Sequence, residues 1–324
     1  MTVDAAKLTR RPIAAGDAAS LAELLNAIEV VDVFGEYYSE EDATDQINAP
    51  SLDLERGTVG VFDGDRMVGY SSAAHKPLVD EVHRVTVSGG VHPRYRRRGL
   101  GAELLAAGIA GAKALHAIHH PDRPLAVDAQ NNALNDGARA CYLAAGMTPV
   151  RWYSHLRHPL GAAAVEVSTP DGLALEGYSV DNDAEFFAVS NEAVRDRWGG
   201  VPMPLEQWRA FLGWSAFRPD LSFLLRDAAD GAAAGVLLAY SWDADTAATG
   251  VRDAHLLRIG TRRAFRRRGV AGALIGHALR AARSAGFDRA SVEVDADSPQ
   301  GSNGLYERAG FTVARAEVRY TLTP

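Results

Sequence analysis

Short apolar, β-branched runs alternate with helical apolar spacing along this chain, and the whole alternation occurs twice. Helices are predicted over 17–28 in the first half and over 183–197 in the second. The predicted strands before each of the two central turns are 8–13, 58–62 and 67–74, and then 173–178, 221–226 and 235–242. Each half therefore predicts an α+β fold, a mixed sheet with helices on both faces.

One block of arginines and small residues occurs in both halves. The first copy, 96–105, reads RRRGLGAELL, and the second, 266–275, reads RRRGVAGALI. Each copy follows a predicted strand (85–91 and 256–259) and leads into an apolar helical pattern. Such a turn presents unpaired backbone N–H groups at the positive end of a helix dipole, and its small residues let phosphate oxygens approach. The repeat predicts a duplicated domain with a pyrophosphate site in each half.

A second repeated segment follows each block. The first reads VDA at 127–129 and continues with Asn135 and Tyr142; the second reads VDA at 294–296 and continues with Ser298 and Tyr306. Together the two segments resemble the GNAT superfamily of acyl-CoA-dependent N-acyltransferases, whose pyrophosphate motif is (Arg/Gln)-x-x-Gly-x-(Gly/Ala). The tandem arrangement resembles two-domain acetyltransferases of the mycothiol synthase type.

The resemblance implies an architecture and a set of cofactor contacts. It implies two GNAT-like domains, 1–160 and 168–324, each with a mixed, mostly antiparallel sheet flanked by helices, closed by strands at 150–156 and 313–322. It also implies acetyl-CoA as the acyl donor. The residues expected to hold acetyl-CoA are Val91, Arg96, Arg97, Arg98, Gly99, Leu100, Gly101, Ala102 and Asn135, and then Ile259, Thr261, Arg266, Arg267, Arg268, Gly269, Val270, Ala271, Gly272 and Ser298.

The implied reaction, acetyl transfer to a primary amine of a small metabolite, requires a base. An alkylamine with a pKa of about 10.4 is protonated at neutral pH, and removing that proton at pH 7 costs roughly 4.6 kcal/mol. In the second half His255 and Asp253 share one face of the strand before the turn. The alternatives are a packed strand histidine and an aspartate that ends a loop. In the first half the candidates are His83 and Glu81.

A tyrosine on the last helix is the implied proton donor to the leaving thiolate. Tyr306 and Tyr142 both fit, and the alternative for each is a ring in the core. If only one half is catalytic, we expect the second, because Val85 occupies the position that corresponds to His255. The alternative function is an acyl-CoA-binding module in which one or both domains are non-catalytic.

Composition narrows the remaining possibilities. The 324 residues carry a net charge of −7, so two arginine triplets in an acidic chain do not indicate nucleic-acid binding. The chain has a single cysteine, Cys141, so an internal disulfide is excluded. We expect its side chain to pack in the core without a chemical role. His116, His119 and His120 have helical spacing near a predicted helix end, and no metal site is expected there. We expect no membrane partner and a cytoplasmic monomer or homodimer, since neither a signal peptide nor a long apolar run is visible.

Overall fold

The computed structural model describes residues 8–161, 167–297 and 302–323. The chain forms two compact units. Unit 1 contains described residues 8–152 and 317–323, and unit 2 contains those between 153 and 316. Ser298, a predicted acetyl-CoA contact, lies outside the described residues. No helix of the described ranges is long and apolar enough to cross a bilayer.

Unit 1 is a mostly antiparallel sheet with helices on both faces. Its strand order is β1-β2-β3-β4-β5-β12, and only the β4–β5 pair is parallel. The elements that build it are β1 (Thr9–Arg11), α1 (Ala18–Asp32), α2 (Glu40–Ile47), α3 (Leu54–Gly57), β2 (Thr58–Asp63), β3 (Arg66–His75), β4 (His83–Val91), α4 (Leu100–His119), β5 (Leu125–Asn132), α5 (Asp136–Ala144), the first part of β6 (Thr148–Pro159) and the last part of β12 (Thr312–Leu322).

Unit 2 repeats this plan with the order β6-β11-β10-β9-β8-β7, and only β10–β11 is parallel. The predicted mixed, mostly antiparallel α+β sheet is therefore confirmed in each unit. Its further elements are β7 (Leu173–Gly177), α6 (Asp183–Val194), α7 (Leu205–Leu212), β8 (Phe217–Asp227), β9 (Ala233–Tyr240), α8 (Asp243–Thr249), β10 (Asp253–Thr261), α9 (Val270–Ser284), β11 (Arg289–Asp295) and α10 (Ser302–Arg308).

The closing strands pair differently from the expectation. Glu317–Leu322 of β12 pairs with β5 in unit 1, and Tyr153–Pro159 of β6 pairs with β11 in unit 2. The sequence repeats, 1–160 and 168–324, and the compact units consequently do not coincide. Both closing strands have similar patterns of apolar and polar residues. Such a pattern determines which face of a strand is buried, but it does not determine with which distant strand it pairs.

The parallel strands of each unit separate before they end. In unit 1 the β4–β5 pairing covers His83–Thr86 against Leu125–Asp128, and in unit 2 β10 pairs with β11 only over Asp253–His255. The remaining residues of β4 and β10 lead to the two arginine-glycine turns. The fold thus opens its sheet next to each predicted ligand turn.

Candidate functional site

The turn of unit 1 has the backbone that an anion site requires. Arg97 (φ 63°) and Gly99 (φ 86°) adopt the left-handed conformation, and α4 begins directly afterwards at Leu100. A residue with a β-carbon is strained at such a φ, which accounts for glycine at 99. A β-carbon built at Gly99 or Gly101 would meet no atom within 4 Å. The open space and the exposed helix N-terminus fit a pyrophosphate bound by backbone N–H groups.

The first arginine of each block binds protein groups. Arg96 makes two hydrogen bonds to the Asp32 carboxylate (2.7 and 2.9 Å) and donates through Nε to the Val91 carbonyl (2.9 Å). In unit 2, Arg266 is paired with Asp196, in the turn after α6. Arg96 therefore fixes its turn to the end of α1, and Arg266 fixes its turn to the residues that follow α6. The backbone N–H groups and the remaining arginines of each block are the candidates for phosphate contacts.

The turn of unit 2 keeps the backbone but has a neighbour that the first turn lacks. Arg267 and Gly269 have φ values of 60° and 81°. A β-carbon at Gly269 would lie 3.2 Å from Cγ of Pro170. The segment before Pro170 follows α9, since Thr169 Oγ1 lies 2.9 Å from His277 Nε2. The chain that enters the second repeat thus runs beside the second turn.

A cavity of about 450 Å³ in unit 1 connects the open turn with the predicted tyrosine. Its wall comes from α1, the loop after α1, α2, β3, β4, the turn, α4, β5, α5 and β12. Its ionisable residues and predicted site residues include Glu29, Asp32, Glu36, Tyr38, Tyr70, Val91, Arg96, Arg97, Gly101, Gln130, Asn135, Cys141, Tyr142 and Glu317. Donor turn and candidate acid therefore share one space.

Tyr142 and Asn135 reach this cavity from α5. The Tyr142 ring packs against Tyr320 with 5.2 Å between centroids, and burial raises the pKa of its phenol, so the hydroxyl keeps its proton at neutral pH. Asn135 caps α5 by accepting a hydrogen bond from the Ala138 N–H at 3.1 Å. The asparagine predicted to bind the cofactor is thus also a helix cap. Burial raises the pKa of the neighbouring Cys141 thiol.

Besides Asp32, which is paired with Arg96, three carboxylates on the cavity wall were missed by the sequence analysis. Glu29 is buried, and burial raises the pKa of its carboxyl although it accepts hydrogen bonds from the N–H groups of Phe34 and Gly35 (2.7 and 2.6 Å). Its bonds fix the loop that carries Glu36, which accepts from the Tyr38 hydroxyl at 2.9 Å. The third, Glu317, comes from β12. No sequence motif marks these carboxylates, because they converge only through the loop after α1 and through the pairing of β12 with β5.

The base candidates predicted for unit 1 lie elsewhere. His83 is fully buried, its Nδ1 lies 3.0 Å from His116 Nδ1, and burial lowers its pKa to about 4. Glu81 lies exposed in the loop before β4. Neither residue is part of the described cavity wall. His83 instead belongs to a cluster with His75 and the histidines at the end of α4.

In unit 2 the two predicted base candidates have protein partners. His255 Nδ1 lies 2.9 Å from Ser291 Oγ, and its ring packs against Trp242. Asp253 forms an ion pair with Arg289 at the start of the parallel strands. The strand then bulges between Leu256 and Arg258, at the point where the sheet opens.

Tyr306 is buried on α10 and packs edge-on against Phe311, with 5.7 Å between centroids. Burial raises its pKa to about 12, so it too remains a proton-bearing phenol. Both predicted acids therefore have the protonation state that the role requires. The side chains of Leu100 and Val270, predicted as cofactor contacts, are buried, and only their backbone can serve an anion.

Comparisons with known proteins agree with this geometry. A mycothiol acetyltransferase of Clavibacter michiganensis is 28% identical over 95% of this chain and 97% of its own length, and one from Kineococcus radiotolerans is 30% identical over 72% and 71%. A GCN5-related N-acetyltransferase of Sphaerobacter thermophilus superposes over 99% of this chain and 96% of its own with a TM-score of 0.76 at 23% identity. A tandem GNAT protein from the clavulanic acid biosynthesis pathway gives 0.70 at 18% identity, over 97% and 98%.

The sequence profile of the Acetyltransferase (GNAT) family matches twice, at residues 21–147 and 184–311. Each match contains one strand-turn-helix unit and most of one predicted repeat. The two matches together cover well over half of the chain. The protein belongs to the GNAT family as a tandem acetyltransferase, and its acyl donor is acetyl-CoA.

Proposed function

We propose that the protein transfers the acetyl group of acetyl-CoA to a primary amine of a small metabolite, and that the transfer takes place in the cavity of unit 1. The observation that carries the proposal is the shared space itself: the open turn at Gly99 and Gly101 and the Tyr142 phenol line one cavity. Acyl transfer is accelerated when the acyl donor is held in position, here at the turn, and when an acid lies at the leaving sulfur.

The acceptor side of the cavity suits an amine. Glu29, Glu36 and Glu317 place negative charge there, whereas the arginines of the wall, Arg96 and Arg97, belong to the turn. An ammonium group is attracted to such a wall. Of these three carboxylates only Glu36, on the loop after α1, is exposed, and we assign it the role of proton acceptor, directly or through water.

The chemistry balances with these groups. The amine nitrogen attacks the thioester carbonyl, a C–N bond forms and the C–S bond breaks. Glu36 takes first the ammonium proton, which it releases to solvent, and then the proton that the attacking nitrogen loses. The thiolate takes a proton from Tyr142, and the Tyr142 phenolate regains one from Glu36 through water. The names of the relatives, mycothiol acetyltransferases, support a small-metabolite acceptor.

Unit 2 is a second candidate for the transfer. The bulge between Leu256 and Arg258 changes the direction of β10 where the sheet opens. The phenol of Tyr306 keeps its proton at neutral pH. His255 and Asp253 stay candidate bases there, although each already has a partner. If neither unit turns over, the alternative is an acyl-CoA-binding module.

The test is turnover. The full chain is incubated with acetyl-CoA, a thiol-detecting reagent and a panel of amino-acid, amino-sugar and aminoglycoside amines. We expect thiol release with at least one amine and a decrease of roughly 10²-fold or more in Glu36→Gln. Glu41→Gln is the matched control, since Glu41 is exposed on α2 outside the cavity wall. Absence of turnover with every amine would contradict an enzyme of this class.

A further inference from the structure

Arg258 of unit 2 is a largely buried cation, and none of the described residues offers it an anionic partner. It stands on β10 directly after the bulge, with its guanidinium carbon 5.3 Å from the centroid of the Phe211 ring. Within the described ranges it has neither an ion pair nor a hydrogen bond. Burial, with a smaller contribution from Arg197, lowers its pKa to about 10. A buried charge is normally paired, because leaving it alone is costly.

A second arginine lies close by. Arg197 donates one hydrogen bond, from Nη2 to the Ile259 carbonyl at 3.1 Å, and no carboxylate within the described residues pairs with it. Two guanidinium groups thus flank the opening of the sheet.

The acidic residues nearest in the sequence are already engaged elsewhere. Asp196 is paired with Arg263 and Arg266, and Glu192 lies 3.4 Å from Arg262. Arg262, Arg263 and Arg266 therefore have carboxylate partners, whereas Arg258, and Arg197, which is exposed, have none among the described residues. In unit 1 the position eight residues before the first block arginine, which Arg258 occupies in unit 2, is Ser88.

We propose that Arg258 and Arg197 form a binding site in unit 2 for the anionic group, carboxylate or phosphate, of a small molecule. Guanidinium groups bind both anions through paired, charge-assisted hydrogen bonds. The Phe211 ring supports the Arg258 plane, and the indole of Trp214 packs against Phe211 at 5.3 Å between centroids. The site goes beyond acetyl transfer in unit 1 and does not depend on it.

The experiment measures thermal unfolding and tryptophan fluorescence of the full chain with succinate, inorganic phosphate or the neutral analogue succinamide at constant ionic strength. Saturating CoA is present throughout, so that the arginine-glycine turns do not contribute anion binding. We expect succinate or phosphate, but not succinamide, to raise the midpoint of unfolding. A response to succinate alone would identify a carboxylate site, and a response to phosphate alone a phosphate site.

The variants separate this site from adventitious binding. Arg258→Met should weaken anion binding by about tenfold to a hundredfold, the usual effect of losing a hydrogen bond to a charged group. It should also unfold at a higher temperature than the wild type without anion, because a lone buried charge has been removed. Arg209→Met, at an exposed position of α7, is the control and should respond like the wild type. An unchanged anion response in Arg258→Met, or none in the wild type, would overturn the proposal.

Discussion

The two arginine-glycine turns have the same backbone and different surroundings. Arg97 and Arg267 have φ values of 63° and 60°, and Gly99 and Gly269 have 86° and 81°. Open space lies next to Gly99, whereas Pro170 lies next to Gly269. Duplication has thus preserved the part of the motif that sets backbone geometry. What has diverged is the access to it.

The acceptor sides differ in charge. In unit 1 the cavity wall carries Glu29, Glu36 and Glu317, and in unit 2 the opening of the sheet carries Arg197 and Arg258. Charges of opposite sign in the two units favour different ligands, since like charges repel and buried charges need partners. The comparison indicates one unit suited to a cationic amine and one suited to an anion. Three experiments test this difference between the units.

The largest effect is expected at the tyrosines. Tyr142→Phe should lower kcat by roughly 10²–10⁴-fold, the usual contribution of a general acid, with little effect on acetyl-CoA binding. The ring packing of Tyr142 on Tyr320 survives this change, so the fold is retained. Tyr306→Phe is the matched variant and should keep most of the activity. The measurement is steady-state thiol release with the best amine of the panel.

The opposite result would assign the acetyl transfer to the other unit. A large loss in Tyr306→Phe with near-normal turnover in Tyr142→Phe would assign the transfer to unit 2, as the position of His255 in the sequence first suggested. Equal losses in both variants would mean that two transfer sites contribute. Each result therefore selects between the units.

Acid should affect unit 1 through His83. The unfolded histidine has a pKa of 6.5 and the folded one about 4, so the unfolded state binds more protons between these values. The contribution of His83 to the free energy of unfolding is therefore fully present above pH 6.5. It is lost as the pH falls toward 4, by at most roughly 3 kcal/mol. The cause is burial, with neighbouring His120 and His116 adding repulsion.

The two units can be observed separately in this titration. Four of the five tryptophans, at 198, 208, 214 and 242, are in unit 2. Far-UV circular dichroism should consequently report an acid-induced loss before tryptophan fluorescence changes. His83→Leu removes the titrating group and should shift that first loss to lower pH. If fluorescence changes first, the histidine cluster does not limit acid stability.

The sequence predicted the fold and the turns because their signals are local. Gly99 and Gly269 are required by a positive φ, and the apolar spacing of α4 and α9 is set by the helix period. Tyr142 was suggested by the resemblance of its segment to the family's pattern on the last helix. These features depend on a few neighbouring residues, and a duplicated motif doubles the evidence for each of them.

The sequence could not predict features that depend on distant pairing. Glu317 reaches the cavity of unit 1 only because β12 pairs with β5, and Glu36 depends on a loop fixed by Glu29. The side chain of Arg96 was expected to bind a cofactor, but Asp32, on another helix, holds it. His83 was expected in the site and lies in a cluster formed by two strands and the end of α4.

The smallest effect is expected from a negative charge at the turns. Gly101→Glu places a carboxylate where a β-carbon meets no atom within 4 Å, and an acidic residue in the first turn of a helix is itself favourable, so folding is preserved. It should weaken acetyl-CoA binding to unit 1 by about tenfold through repulsion of the pyrophosphate. Gly101→Gln is the neutral control of similar size.

Ala271→Glu, the matched change in unit 2, should have a smaller effect, because Pro170 already lies beside that turn. Calorimetry measures affinity and stoichiometry for each variant, and an equal or greater loss in Ala271→Glu would show that the second turn is as accessible to the donor as the first.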